Sequence, residues 1–104
     1  DIELLDSEGY PTEAFLKFIK EYHPDQLGIL HFLKILEDGW YYGDRGFKLH
    51  RKYRGIRKLE LHTGGWSGNE ETIREITGNI FLTHFKMRYE MWRTGGHYYF
   101  EITL

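Results

Sequence analysis

This 104-residue chain contains no cysteine, only two prolines and two methionines, and no apolar run approaching the roughly 18 residues that a bilayer crossing requires. Without thiols there can be no disulfide, thiolate catalysis or cysteine-ligated zinc, and the composition leans toward a reducing compartment, the cytoplasm by default. The acidic start Asp1-Ile2-Glu3 has neither the basic nor the apolar region of a signal peptide. The six histidines are scattered singly, and neither H-x-x-x-H, H-E-x-x-H nor a paired-carboxylate spacing occurs, so no metal or cofactor is expected. A phosphate-loop lysine and a G-x-S-x-G nucleophile are missing as well.

Against these absences stand aromatics at 17% of residues, too many for a disordered chain, so a packed interior is expected despite 29% charged residues. At this length the simplest reading is one domain spanning 1–104. The net charge of −2 conceals an asymmetry: residues 1–42 carry −6 and residues 43–104 carry +4. Seven basic residues and no acid fall between Arg45 and Lys58, a local positive field suited to an anionic partner, or a solvated face balanced by the acidic half of the same fold.

Periodicity predicts the elements. Thr12 reads as the N-cap of a helix burying Phe15, Leu16, Ile19 and Tyr22, ended by His23-Pro24. Asp25 then caps a second, apolar helix to about Glu37, stopped near Gly39. Trp40-Tyr41-Tyr42 reads as a short extended run, residues 47–53 and 58–62 as a hairpin, and Glu70–Thr77 as a short helix closed by Gly78. Residues 80–92 give the longest extended candidate, with Met87, Tyr89 and Met91 on one face and Arg88, Glu90 and Trp92 on the other, and residues 97–103 alternate back. The order α-α-β-β-α-β-β predicts an α+β fold: two N-terminal helices packed on an antiparallel four- to five-stranded sheet.

The loop Gly64-Gly65-Trp66-Ser67-Gly68-Asn69-Glu70-Glu71 places three glycines and an indole before a helix start. Ser67 to Glu70 has capping-box spacing, and Asn69 is an equally good cap. Functionally the loop offers Trp66, Ser67 and Asn69 as partner or ligand contacts. Glu70 and Glu71 in the first turn argue against phosphate there.

The blocks Leu59-Glu60-Leu61-His62-Thr63-Gly64-Gly65-Trp66-Ser67-Gly68-Asn69-Glu70 and Arg93-Thr94-Gly95-Gly96-His97-Tyr98-Tyr99-Phe100-Glu101, with Glu8–Glu13 and Trp40–Gly43 before them, resemble a group of small hypothetical proteins encoded by bacteriophages and prophages. The resemblance covers most of the chain. It implies a phage setting, in the cytoplasm of an infected or lysogenic host, and no particular chemistry; small phage proteins are often accessory factors, including antagonists of host defence.

On these phases the sheet's outward groups include His50, Lys52, Glu60, His62, Arg88, Glu90, Trp92, His97, Tyr99 and Glu101, with Arg51 of the basic hairpin and Arg93 of the Arg93–His97 turn as further contacts; Arg and Lys can meet phosphate and rings can stack on bases, or cross-strand pairs merely stabilise the sheet. The leading expectation is a binding protein contacting a host protein or an anionic, nucleotide-like ligand, with nucleic acid a weaker option. The alternatives are a small enzyme on a phosphate-bearing substrate with His62 and His97 as acid and base, and a virion assembly component. Oligomeric state is not legible.

Overall fold

The computed structural model describes residues 2–104. Helix α1 (Glu13–Glu21) begins where Thr12 Oγ1 accepts from Phe15 N–H at 3.1 Å, and buries Phe15 and Ile19. It stops because Tyr22 is extended ahead of His23-Pro24. The expected second helix is two helices, α2 (Pro24–Leu27) and α3 (Ile29–Asp38), broken at Gly28. Gly28 sits at φ 86, ψ 169, a region that a side chain excludes. The cap of α2 is His23, whose Nδ1 accepts from Asp25 N–H at 3.1 Å, rather than Asp25 itself. Helix α3 buries Ile29, Phe32, Leu33 and Leu36, the i, i+3, i+4, i+7 stripe of a core-facing helix.

Trp40-Tyr41-Tyr42 is not extended. Trp40 is wedged into the core, its indole N–H donating to His62 O at 3.1 Å, and a single helical turn, α4 (Gly43–Gly46), leads into β1 (Phe47–Leu49). Strand β2 (Ile56–His62) follows an exposed loop carrying Arg51, Lys52 and Tyr53, so Lys52 and Tyr53 lie outside the strand to which alternation assigned them. Helix α5 (Ser67–Gly78) starts at Ser67 with no side-chain cap. Neither expected cap forms, because Asn69 is buried: its Oδ1 accepts from Tyr41 N–H at 3.2 Å and its Nδ2 donates to Tyr41 O at 2.9 Å and Thr63 O at 3.3 Å.

The largest departure is in residues 80–92. Ile80–Phe85 is helix α6, and only Met87–Arg93 is strand, β3. Asn79 decides this locally: its Oδ1 accepts from Phe81 and Leu82 N–H, at 3.0 and 3.1 Å, while its Nδ2 donates to Ile19 O and Tyr22 O, both at 2.8 Å. One buried amide thus starts α6 and closes the end of α1. Strand β4 (His97–Thr103) completes a four-stranded, wholly antiparallel sheet of order β1-β2-β4-β3.

Leu59, Leu61, Phe100, Ile102 and Met87 point from the sheet into a single core with Phe15, Ile19, Phe32, Leu33, Leu36, Ile73, Ile76 and Leu82 from the helices. The helices therefore cover one sheet face and leave the other open, a division that antiparallel sheets permit. No helix among the described residues is long and apolar enough to cross a membrane.

Gly28→Ala should destabilise the protein by about 1–3 kcal/mol in chemical denaturation, although open space surrounds the position; a stability gain would show that the helix break is dispensable. Asn79→Ala should lose about 2–4 kcal/mol in the same assay, since it removes a cap, strands the Tyr22 carbonyl and leaves Ile19 O with only the long bond from Tyr22 N–H.

Candidate functional site on the open sheet face

Directly opposed residues share a face, so the pairings arrange the open face in rows. At the end nearest the glycine turns, His62 on β2 opposes His97 on β4, which opposes Arg93 on β3. The middle row is Lys48, Glu60, Tyr99 and Met91, and the far row holds Lys58, Glu101 and Arg88.

The rows differ electrostatically. In the far row Lys58 Nζ sits 2.9 Å from Glu101 and 2.8 Å from Glu90. Hydrogen bonding to Glu101 and then Glu90 raises the lysine above its ordinary value, and Lys58 holds the Glu101 carboxyl below the usual range. That end is internally neutralised. At the near end Arg45 and Arg93 form no salt bridge among the described residues. Arg45 lines a cleft of about 250 Å³ with Tyr42, Gly46, His62 and Gly64. Arg93 lies over the Tyr99 ring, 5.9 Å from its centre.

Between the two guanidiniums runs a chain of polar contacts. Glu60 bridges His50 Nε2 and His62 Nε2, the latter at 3.1 Å, and His62 Nδ1 meets His97 Nδ1 at 2.7 Å. The hydrogen bond from His50, chiefly, together with that from His62, holds the Glu60 carboxyl below its usual range against a partial desolvation that opposes it. Tyr99 sets its ring edge-on to His62 at 6.0 Å.

Of the residues singled out from sequence, His62, His97, Tyr99, Arg93 and Arg88 come together on this face. Arg51 and Lys52 are exposed but lie in the loop at the opposite end of β2. Trp92 is on the other face. The register shifts between Tyr89 and Met91, leaving Glu90 as a bulge, so Met91 opposes Tyr99 and Trp92 opposes Tyr98 on the helix side. Asn69 is buried and its amide fully engaged, which removes it from any contact surface. Trp66 is half-buried between Tyr10 and Tyr41, at ring distances of 4.6 and 5.0 Å, and donates to Gly9 O at 3.0 Å. Its indole clips the N-terminal loop to α5, so it does not project as a contact. Ser67 remains exposed as the first residue of α5.

Sequence reasoning did not single out Arg45 or the cleft beside His62. The available signal was the start of the basic run, just after the Tyr-Tyr-Gly turn. Tyr42, lining that cleft, takes a left-handed backbone at φ 62, a conformation uncommon outside glycine that Arg54 in the exposed loop also adopts. A larger groove lies elsewhere, about 750 Å³ between α3 and β1, where Lys34 is paired with Glu37 and Asp38, Arg57 donates to His50 O at 2.6 Å, and Lys48 is exposed without an ion pair among the described residues. No cluster of three metal-binding side chains occurs among the described residues. Comparison with protein-family models, curated proteins and solved structures finds no match to this chain.

Because the folded Glu60 carboxyl titrates below its ordinary value of 4.5, its contribution to stability is complete above that pH and is lost as pH falls through the depressed value. Glu60→Gln should therefore flatten the acid-side fall in melting temperature below about pH 4.5. An acid limb identical to that of the parent would show that the imidazole contacts do not stabilise the fold.

Proposed function

We propose that the protein binds a phosphate-bearing, nucleotide-like anion on the open sheet face, at the row formed by His62, His97 and Arg93 and the adjoining cleft that Arg45 lines with His62. One observation carries the reading: two guanidiniums without carboxylate partners among the described residues flank two imidazoles in contact, while the opposite end of the same face is neutralised by its own ion pairs. Arginine presents a planar fork of donors that matches phosphate oxygens. Tyr99, one row behind and under Arg93, supplies a flat ring on which a base can stack.

This commits to an anionic ligand rather than a host protein. The basic loop with Arg51 and Lys52 is about 20 Å away, six residue steps along β2, and serves as the internal control. Arg93→Ala should weaken binding of a ribonucleoside monophosphate by about 1.5–3 kcal/mol, roughly 10- to 100-fold, measured by calorimetry at fixed salt. The double variant Arg51→Ala, Lys52→Ala should leave affinity nearly unchanged. The reverse pattern would move the site to the loop, and no saturable binding by the parent would remove the reading.

A further inference from the structure

The polar chain across the near row has a direction. Glu60, an ionised carboxylate, only accepts, so the His62 nitrogen facing it, Nε2, carries a hydrogen. In the neutral ring this leaves His62 Nδ1 as an acceptor, and the partner 2.7 Å away, His97 Nδ1, must donate to it. His97 then has one nitrogen without a hydrogen, Nε2. That atom lies beside Gly95, where a side-chain carbon would come within 3.2 Å of it and where φ is +100. The hairpin turn thus has a glycine where any other residue would crowd the basic nitrogen.

A carboxylate behind an imidazole fixes its tautomer and balances the charge it gains on taking a proton. Here the arrangement is extended by one ring: protonation of His97 Nε2 is balanced through His62 by Glu60. Among the described residues the His97 ring hydrogen-bonds only to His62, with no hydroxyl held against it, and the neighbouring Thr63 hydroxyl is buried, so the attacking oxygen is assigned to the ligand. The geometry points to a phosphodiester-cleaving site in which His97 Nε2 is the general base, His62 and Glu60 position it, and the substrate is single-stranded RNA that supplies its own nucleophile. In that step the ribose 2′-hydroxyl proton passes to His97 Nε2 while the O2′–phosphorus bond forms. The phosphorus–O5′ bond breaks and the departing 5′ oxygen takes a proton from solvent, giving a 2′,3′-cyclic phosphate and a 5′-hydroxyl. Arg93, opposite His97, neutralises the phosphoryl oxygens as charge builds. The groups facing His97 are His62, Tyr99 and Arg93, with His50 beyond Glu60.

This inference rests on the anion-binding reading, and the experiment separates the two. The full-length chain is incubated with a fluorescein-labelled, mixed-sequence single-stranded RNA and with its DNA counterpart, following binding by anisotropy and cleavage by gel and mass spectrometry. RNA cut to cyclic-phosphate ends with DNA intact is the expected result. His97→Ala should slow cleavage by about 100-fold or more while RNA is still bound. Glu60→Gln and His62→Gln should each slow it by about 10-fold, and Glu60→Gln should also move the acid limb of the pH–rate profile to lower pH, because the anion that balances protonated His97 is gone. A merely structural role would leave that limb in place. RNA bound but uncut overturns the cleavage proposal and leaves the anion site standing. RNA unbound overturns the cleavage proposal, and if the ribonucleoside monophosphate is unbound as well, the anion site falls with it. Cleavage of RNA and DNA alike overturns the internal attack, and cleavage that persists in folded His97→Ala overturns the assignment of the base.

Discussion

The pairing of β2 with β4 is the constraint from which the rest follows. Both are interior strands, and one register sends Leu59, Leu61, Phe100 and Ile102 into the core while it brings His62 opposite His97, Glu60 opposite Tyr99 and Lys58 opposite Glu101. A slip of one residue would reverse every one of these side chains. The energetics of burial therefore fix the chemistry of the open face. The fully buried hydrophobes hold the polar groups in line, and the polar groups need contribute little of their own.

The helical half is joined to this sheet by buried amides rather than by helix length. Asn79 ties the end of α1 to the start of α6, and Asn69 holds the Tyr41 segment against the end of β2. Trp40 donates to the His62 carbonyl, so the residue that presents an imidazole outward is anchored through its backbone from within. Buried polar groups of this kind are costly unless satisfied, and no buried side-chain donor or acceptor among the described residues lacks a partner. Packing thus reaches the candidate site from behind: loosening Asn69 or Trp40 would disturb His62 without touching the open face.

Much of the architecture was readable from local pattern. The Thr12 cap, the stop at His23-Pro24, both hairpins and the α+β class are dictated by short-range spacing and turn chemistry. The misreadings share a cause, which is that long-range contacts override a local pattern that two structures satisfy. Residues 80–85 alternate passably as a strand, yet Asn79 reaches across to Ile19 and Tyr22 and starts a helix. Asn69 and Trp66 look like loop residues free to bind, but partners at Tyr41 and Gly9 claim them. The site was half legible: His62, His97 and Tyr99 follow from strand phase near the turns, and Arg93 from its place at the hairpin turn. The bulge at Glu90, which exchanged the faces of Met91 and Trp92, has no sequence signature, and the approach of Arg45 to His62 depends on how α4 enters β1.

The Lys58 bridge between Glu90 and Glu101 has a geometric corollary. An extended polyanion laid parallel to the strands would leave Arg45 and Arg93 and, within about 13 Å or four residue steps, reach a lysine already bonded to two carboxylates. Laid crosswise, it would pass Arg45, two imidazoles and Arg93 in succession without meeting an acid in that row. The sheet is therefore directional as a surface: along its chain axis the cation is already spent on carboxylates, whereas the transverse axis keeps its guanidiniums free, so a threadlike molecule finds its contacts at a right angle to the ribbons beneath it.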